Sequence, residues 1–302
     1  MHRTTRRLTR ALTATALALA LAVTVAACGS DDSSSTTTAA SGAAKAPSKI
    51  TIAYQAIPNG DLIVKHEGWL EKALPNTKID WKLFESGGDV NQAVAAGSVD
   101  IGLAGSSPVS RGLSTPIPYQ VPWIFDVIGT AEALAVKSDI KTLADLKGKK
   151  IATPLASTSH YSLLAALKEA GLTEKDVKII DAEPDAISAA WARGDIDGAY
   201  VWNPNLDKIV KSGGRVIITS ADLAKKGKTT YDLAVATNAF AAKYPAALTT
   251  WAQQQDKAVG LLKTDPAQAS QDIAAELNIS PADALAQTKE IGRASCRERV
   301  SS

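Results

Sequence analysis

The chain has 302 residues, 45% hydrophobic and 5% aromatic, with 33 lysines and arginines against 31 aspartates and glutamates. That length can bury one large core or two smaller ones. The near balance of charge leaves no basic surplus for nucleic acid, and two cysteines in all exclude a disulfide framework or a thiolate metal site of zinc-finger type.

The first 27 residues carry Arg3, Arg6, Arg7 and Arg10, then an apolar run without an acidic residue. This pattern predicts a secretion signal rather than a fold element. Val25-Ala26-Ala27 closes the run and Cys28 follows, an arrangement that resembles the bacterial lipobox and implies cleavage before Cys28 and acylation of its thiol. Residues 28–48 are dominated by Ser, Thr, Ala, Asp and Gly, too polar and small to pack, and read as a lipidated flexible tether. At the other end residues 291–302 read IGRASCRERVSS, with three arginines and Cys296, and break the helical pattern before them. They are read as an anomalous tail outside the fold. Without the first 27 residues and the tail, 26 basic and 30 acidic residues remain, and residues 49–290 contain no cysteine.

From Ile50 onward short β-rich runs alternate with helical ones, the pattern of α/β layers. Residues 50–54 predict a first strand, 61–73 a helix, and 78–84 a second strand with Ile79, Trp81 and Leu83 on one face. A helix over 90–96 stops at Gly97, and the apolar strand 101–104 runs into Gly105-Ser106-Ser107-Pro108, a strand-to-helix turn. A second unit opens near Thr142 with a short helix, Gly148 and a strand. Ser157-Thr158-Ser159-His160-Tyr161 then caps an apolar helix ended by Gly171. A strand over 177–180, a helix over 186–193 and a strand over 197–202 extend the βαβ pattern, which predicts a largely parallel sheet. After a strand over 231–237, residues 238–290 read as almost wholly helical, broken at Pro245, Pro266 and Pro281.

Nucleotide-binding glycine loops, nucleophile elbows and zinc-protease helices do not occur in this sequence. His66 falls mid-helix, and His160, at a helix start, has no carboxylate close in sequence to orient it as a base. The sequence offers instead two hydroxyl-dressed helix N-termini, at Ser106-Ser107 and at Ser157-Thr158-Ser159. Such ends expose unpaired N–H groups and partial positive charge, suited to a tetrahedral anion, although plain capping explains either one alone. Tyr54, Gln55, Tyr200 and Trp202 stand at strand ends, where open α/β sheets bind ligands, with ordinary core packing as the alternative. Asp61 and Asp232 are acids that could complement a ligand amine, with an ordinary first-turn charge favourable to the helix dipole as the alternative for Asp61.

The runs Ser157-Thr158-Ser159-His160-Tyr161-Ser162-Leu163-Leu164 and Gly194-Asp195-Ile196-Asp197-Gly198-Ala199-Tyr200-Val201-Trp202 resemble the taurine-binding proteins of ABC importers, in the sulfonate/nitrate/taurine family. Gly105-Ser106-Ser107-Pro108 and Ala53-Tyr54-Gln55 match the same family, and the likeness extends over roughly residues 50–290. It implies an α/β, two-lobed periplasmic-binding-protein fold of type II with the ligand in the interlobe cleft. It also implies a division into lobe 1 (49–134), lobe 2 (135–230) and a helical return to lobe 1 (231–290), closing by a hinge. By the same resemblance Ser106, Ser107, Ser157, Thr158 and Ser159 hold the sulfonate, and Tyr54, Gln55, His160, Tyr161 and Trp202 form the walls. Asp232 is the first choice for the amine and Asp61 the second. The stretch Ala56-Ile57-Pro58-Asn59-Gly60 departs from the family pattern beside Asp61.

The expected protein is therefore a monomeric, extracytoplasmic lipoprotein that captures taurine or a related sulfonate and delivers it to the transmembrane subunits of an ABC permease. It would need no cofactor or metal and contact no nucleic acid. The alternative keeps that role for an alkanesulfonate, nitrate or another small anion. An enzyme of related fold is the third reading, and it would require a catalytic histidine and usually a cysteine-rich motif.

Overall fold

The computed structural model describes residues 46–290. The expected secretion signal, Cys28, the expected tether up to residue 45 and the 291–302 tail lie outside the described residues.

Ten strands of the described residues are, in chain order, β1 (Lys49–Tyr54), β2 (Lys78–Leu83), β3 (Ile101–Gly105), β4 (Tyr119–Val127), β5 (Glu132–Val136), β6 (Lys150–Thr153), β7 (Lys178–Asp181), β8 (Gly198–Trp202), β9 (Arg215–Thr219) and β10 (Tyr231–Thr237). They form two five-stranded sheets, ordered β2-β1-β3-β10-β4 and β7-β6-β8-β5-β9. In the first, β1 pairs parallel with β2 and β3, whereas β10 runs antiparallel to both β3 and β4. The second repeats the scheme, with β6 parallel to β7 and β8, and β5 antiparallel to β8 and β9. Both sheets are thus mixed, which corrects the expectation of a largely parallel sheet. The chain passes between the sheets through residues 128–131 and returns after β9, and the strands flanking these passages supply the antiparallel pairings.

Helices cover the sheets. The run expected as one helix over 61–73 is two, α1 (Gly60–His66) and α2 (Trp69–Ala73), separated at Gly68, whose φ of 60° turns the chain out of the right-handed helix. The side chain of Asn59 caps α1 by accepting from the Asp61 N–H at 2.8 Å. Next come α3 (Gly87–Ala95) and α4 (Ser106–Leu113) over the first sheet. Over the second lie α5 (Thr158–Glu169), α6 (Pro184–Arg193), α7 (Asn205–Lys211) and α8 (Ser220–Ala224). After α9 (Asn238–Lys243), the three prolines that break the C-terminal pattern each open a helix: α10 (Pro245–Thr264), α11 (Pro266–Leu277) and α12 (Pro281–Lys289). Proline suits that place because the first helical N–H has no acceptor within the helix. Asp265 and Ser280 cap α11 and α12.

The C-terminal helices return to the first sheet. Trp251 of α10 is fully buried, its ring edge-on to Phe125 of β4 at 6.1 Å, among Ile50, Leu62 and Leu103. The second sheet has its own core around Leu134, Ile151, Leu163 and Tyr200. No helix of the described residues is long and apolar enough to cross a membrane.

Candidate functional site

The C-terminal ends of β3 and β6 lead directly or by a short turn into α4 and α5, and these two helix N-termini meet between the sheets. The contact is tight: a Cβ added at Gly105 would lie 2.6 Å from Cγ2 of Thr158. Ser86, which caps α3, donates its hydroxyl to Glu183 Oε1 at 3.2 Å across the same divide. Trp202, from the second sheet, packs against the core of the first. The two lobes are therefore closed on one another.

The closure encloses a cavity of about 50 Å³, far smaller than the roughly 300–1,000 Å³ of pockets for drug-sized ligands. Its wall combines the N-terminal residues of three helices, at Gly87, Gly105 and Ser157-Thr158, with Gln55, Trp202 and Asn203 and with the carboxyls of Asp126, Glu132 and Asp232. First-turn N–H groups of a helix lack intrahelical acceptors, so one end of the cavity chemistry favours an anion. The carboxyls favour a cation. A space this small with both features suits a short ligand carrying charges of opposite sign.

Glu132 organises the hydroxyls. Its Oε2 accepts from Thr158 Oγ1 at 2.6 Å and Ser159 Oγ at 2.8 Å, and its Oε1 accepts from Ser220 Oγ at 2.6 Å and Ser162 Oγ at 3.4 Å. Burial pushes this carboxyl above its ordinary range, and the hydroxyls draw it partway back. The hydroxyl protons of Thr158 and Ser159 are thereby turned onto the protein's own acid. What α5 offers a ligand is its backbone N–H groups. Ser157 donates its hydroxyl to Pro154 O at 2.6 Å and accepts from the His160 N–H at 3.1 Å.

Of the other residues singled out in the sequence, Gln55 is buried on the cavity wall and donates to Leu103 O at 3.0 Å. Ser106, Ser107, His160 and Tyr161 line a separate, more open depression of about 500 Å³ between α4 and α5, which Ser157 also borders. Ser106 Oγ accepts from the Tyr231 N–H at 3.2 Å. His160 Nδ1 accepts from the Ala156 N–H at 3.2 Å, which leaves the ring proton on Nε2, and burial lowers its pKa. Tyr54 stacks edge-on with Trp81 beneath Lys65 and is not on the cavity wall. Tyr200 is wholly buried in the second core, with its hydroxyl 3.1 Å from Ser220 Oγ. Asp61 lies away from the cavity, buried under α10, where it accepts from Gln255 Nε2 at 2.6 Å. Burial pushes its carboxyl up to about 7 despite that bond.

Two wall acids, Asp126 and Glu132, were not among the residues read from the sequence. The available signal was a lone acid inside an apolar run, in Trp123-Ile124-Phe125-Asp126-Val127 and at the head of Glu132-Ala133-Leu134-Ala135-Val136. A buried acid there needs a partner or a ligand.

Fold and site together define a two-lobed α/β protein with a small polar cavity between its two sheets. The chain belongs to the NMT1/THI5-like family, whose model matches residues 62–269. It is 40% identical over 204 residues to the taurine-binding periplasmic protein of Escherichia coli, a match covering 68% of this chain and 63% of that protein. It is 34% identical over 197 residues to a putative aliphatic sulfonates-binding protein of the same organism, covering 61% and 59%. The chain thus spans less than two thirds of the length of these curated relatives. In three dimensions it is similar to the alkanesulfonate-binding protein SsuA of Xanthomonas axonopodis pv. citri bound to MOPS, with a TM-score of 0.74 and 25% identity over 84% of this chain and 90% of that one.

Proposed function

We propose that this chain is the substrate-binding component of an ABC importer, that it captures taurine or a related small sulfonate between its lobes, and that it passes the ligand on without chemical change. The observation that carries the reading is the cavity wall, where three helix N-termini and three carboxyls line one small space. A sulfonate matches the N–H groups of the helix ends, as an oxyanion that needs no arginine or lysine. Similarity to taurine- and sulfonate-binding proteins supports the same ligand class.

Magnitudes agree. Taurine has about seven non-hydrogen atoms, and a best-case efficiency of about −1.5 kcal/mol per atom caps binding near −10 kcal/mol, or tens of nanomolar. Capture below micromolar is within reach when both charged ends are paired. The arginine-led leader and Cys28 support an extracytoplasmic protein held at the membrane by lipid, and the permease's transmembrane subunits are the partner this role requires.

The test is thermal melting of the purified full chain with millimolar taurine, ethanesulfonate, sulfate or nitrate. A ligand bound only by the native state raises the melting temperature. The expected result is a shift with taurine and a smaller one with ethanesulfonate. A shift with nitrate or sulfate alone transfers the role to another anion, and no shift with any of them refutes the reading.

A further inference from the structure

Asn203 follows β8 in the second lobe, lines the cavity and is only 3% exposed. Its side chain is held at both ends: Oδ1 accepts from the Asp207 N–H of α7 at 3.1 Å, and Nδ2 donates to Glu290 Oε2 at 2.7 Å. An amide nitrogen carries two protons, so one remains without an acceptor among the described residues. A buried donor of this kind needs a partner. Asn203 and the N-terminus of α5 leave the same edge of the second sheet, at the ends of the neighbouring parallel strands β8 and β6. Glu290 comes from the other lobe. It ends α12, whose Ala284 is fully buried in the core of the first sheet. The same helix grips the second lobe through Asp283, which pairs with Lys211 at 2.5 Å, and through Gln287, which donates to Asp207 Oδ2 at 3.3 Å. The Glu290 carbonyl accepts from the Thr130 N–H at 3.1 Å, in the crossover between the lobes. A helix fixed on both sides of the seam thus presents the Glu290 carboxyl to Asn203.

We propose that Asn203 donates its remaining amide proton to a sulfonate oxygen of the bound ligand, and that Glu290 is the positioning residue that aims it. The inference rests on the sulfonate reading above and adds to it a donor from the second lobe and the helix that holds that donor. A sulfonate only accepts hydrogen bonds, so an asparagine serves it with Nδ2 and opposes it with Oδ1. Turning the amide over would set Oδ1 against the Glu290 carboxyl and Nδ2 against the Asp207 N–H, acceptor on acceptor and donor on donor. Glu290 and Asp207 together therefore permit one orientation. Glu290 acts on the ligand only through Asn203, and α12 carries that influence from the first lobe to the cavity wall.

The experiment is isothermal titration of the full chain with taurine and with isethionate, which replaces the amine by a hydroxyl and keeps the sulfonate. It is repeated on Asn203→Ala, Asn203→Asp, Glu290→Ala, Glu290→Gln and the double Asn203→Ala, Glu290→Ala variant, with the ligand-free melting temperature of each. Asn203→Ala should weaken both ligands by the same factor, about tenfold or more, as expected for a lost hydrogen bond to a charged group. Asn203→Asp keeps an acceptor for the Asp207 N–H, lacks the donor, and should lose at least as much. Glu290→Ala should weaken both ligands about threefold to tenfold, the range of one hydrogen bond, and Glu290→Gln, whose amide oxygen still accepts from Nδ2, should recover most of that loss. In the double variant the loss should equal that of Asn203→Ala alone. Wild-type affinity in Asn203→Ala or Asn203→Asp, or a loss confined to taurine, overturns the donor role. A Glu290→Ala loss that persists in full without Asn203, or that glutamine does not recover, overturns the positioning role. The sulfonate reading survives all of these results, whereas a folded wild-type chain that binds neither ligand overturns both.

Discussion

Replacing Gly105 by alanine isolates closure from folding. Gly105 has φ −64° and ψ 159°, a conformation open to any residue, so the backbone itself does not demand glycine. The added Cβ would meet Thr158 Cγ2 at 2.6 Å, whereas the next two atoms, Oγ1 and Cβ of Thr158, stay at 3.4 and 3.6 Å, ordinary contact distances. The obstacle is one methyl group on the opposing lobe, and it exists only when the lobes are shut. Overpacking of this kind costs about 1–3 kcal/mol. Charged against closure alone, that weakens taurine about 5- to 150-fold. Thr158→Ser removes the methyl and retains the hydroxyl that bonds Glu132. Titration calorimetry on wild type, Gly105→Ala, Thr158→Ser and the double variant forms a complete cycle. Gly105→Ala alone should lose affinity with little change in its ligand-free melting temperature, and the double variant should recover most of the loss. Wild-type affinity in Gly105→Ala, or a double variant no better than the single one, would refute closure of Gly105 onto Thr158 as part of binding.

Other outcomes follow from the same geometry. Asp61 holds its proton up to about pH 7 in the native chain, against an ordinary value of 3.8, so the folded state binds more protons between those limits and stability falls as pH rises through them. The full gap amounts to about 4 kcal/mol, and Asp61→Asn should flatten the pH dependence of urea unfolding between pH 4 and 7. Burial, reinforced by Glu132, pushes Asp232 up to about 7, and burial with Asp232 and Glu132 beside it raises Asp126 well above its usual range. Because an ammonium pairs with the ionised form, taurine affinity should weaken as pH drops below 7, and isethionate affinity should not follow. Trp251→Ala empties the core beneath α10 and should cost about 3–5 kcal/mol in chemical denaturation. Cys28→Ala should move the protein from the membrane fraction to the soluble extracytoplasmic fraction, and retention of a lipid label in that variant would contradict acylation of Cys28.

Local chemistry was readable where it decided the structure. The cap at Ser157, the breaks at Pro245, Pro266 and Pro281, each of which opens a new helix, and the left-handed stop at Gly171, with φ 69°, are all matters of nearest neighbours. β4 was not readable, because Pro122 and Asp126 both speak against a strand. It is tolerated as the edge of its sheet, where an unpaired position is harmless, and the pairing with β10 slips at that point, between Ala234 and Ala236. β5, Glu132-Ala133-Leu134-Ala135-Val136, is too short and too uniformly buried to show a period of its own.

At the site, the hydroxyls of Thr158 and Ser159 looked free because their acceptor, Glu132, is more than 25 residues away along the chain. Asp61 and Asp232 were both candidate acids in the sequence, ranked only by resemblance, and the packing of α10 over one and the register of β10 with β4 around the other separate them physically. Long-range pairing, rather than local propensity, assigns these side chains their neighbours.

The central claim is that a small sulfonate occupies the closed cavity, and its most direct test is calorimetric titration of taurine into the full chain beside a Trp202→Ala variant. One site per chain, with a Kd near or below about 1 µM that weakens at least about tenfold when the indole leaves the wall, is the predicted result. Silence from a folded wild-type chain, or an affinity indifferent to Trp202, would contradict it.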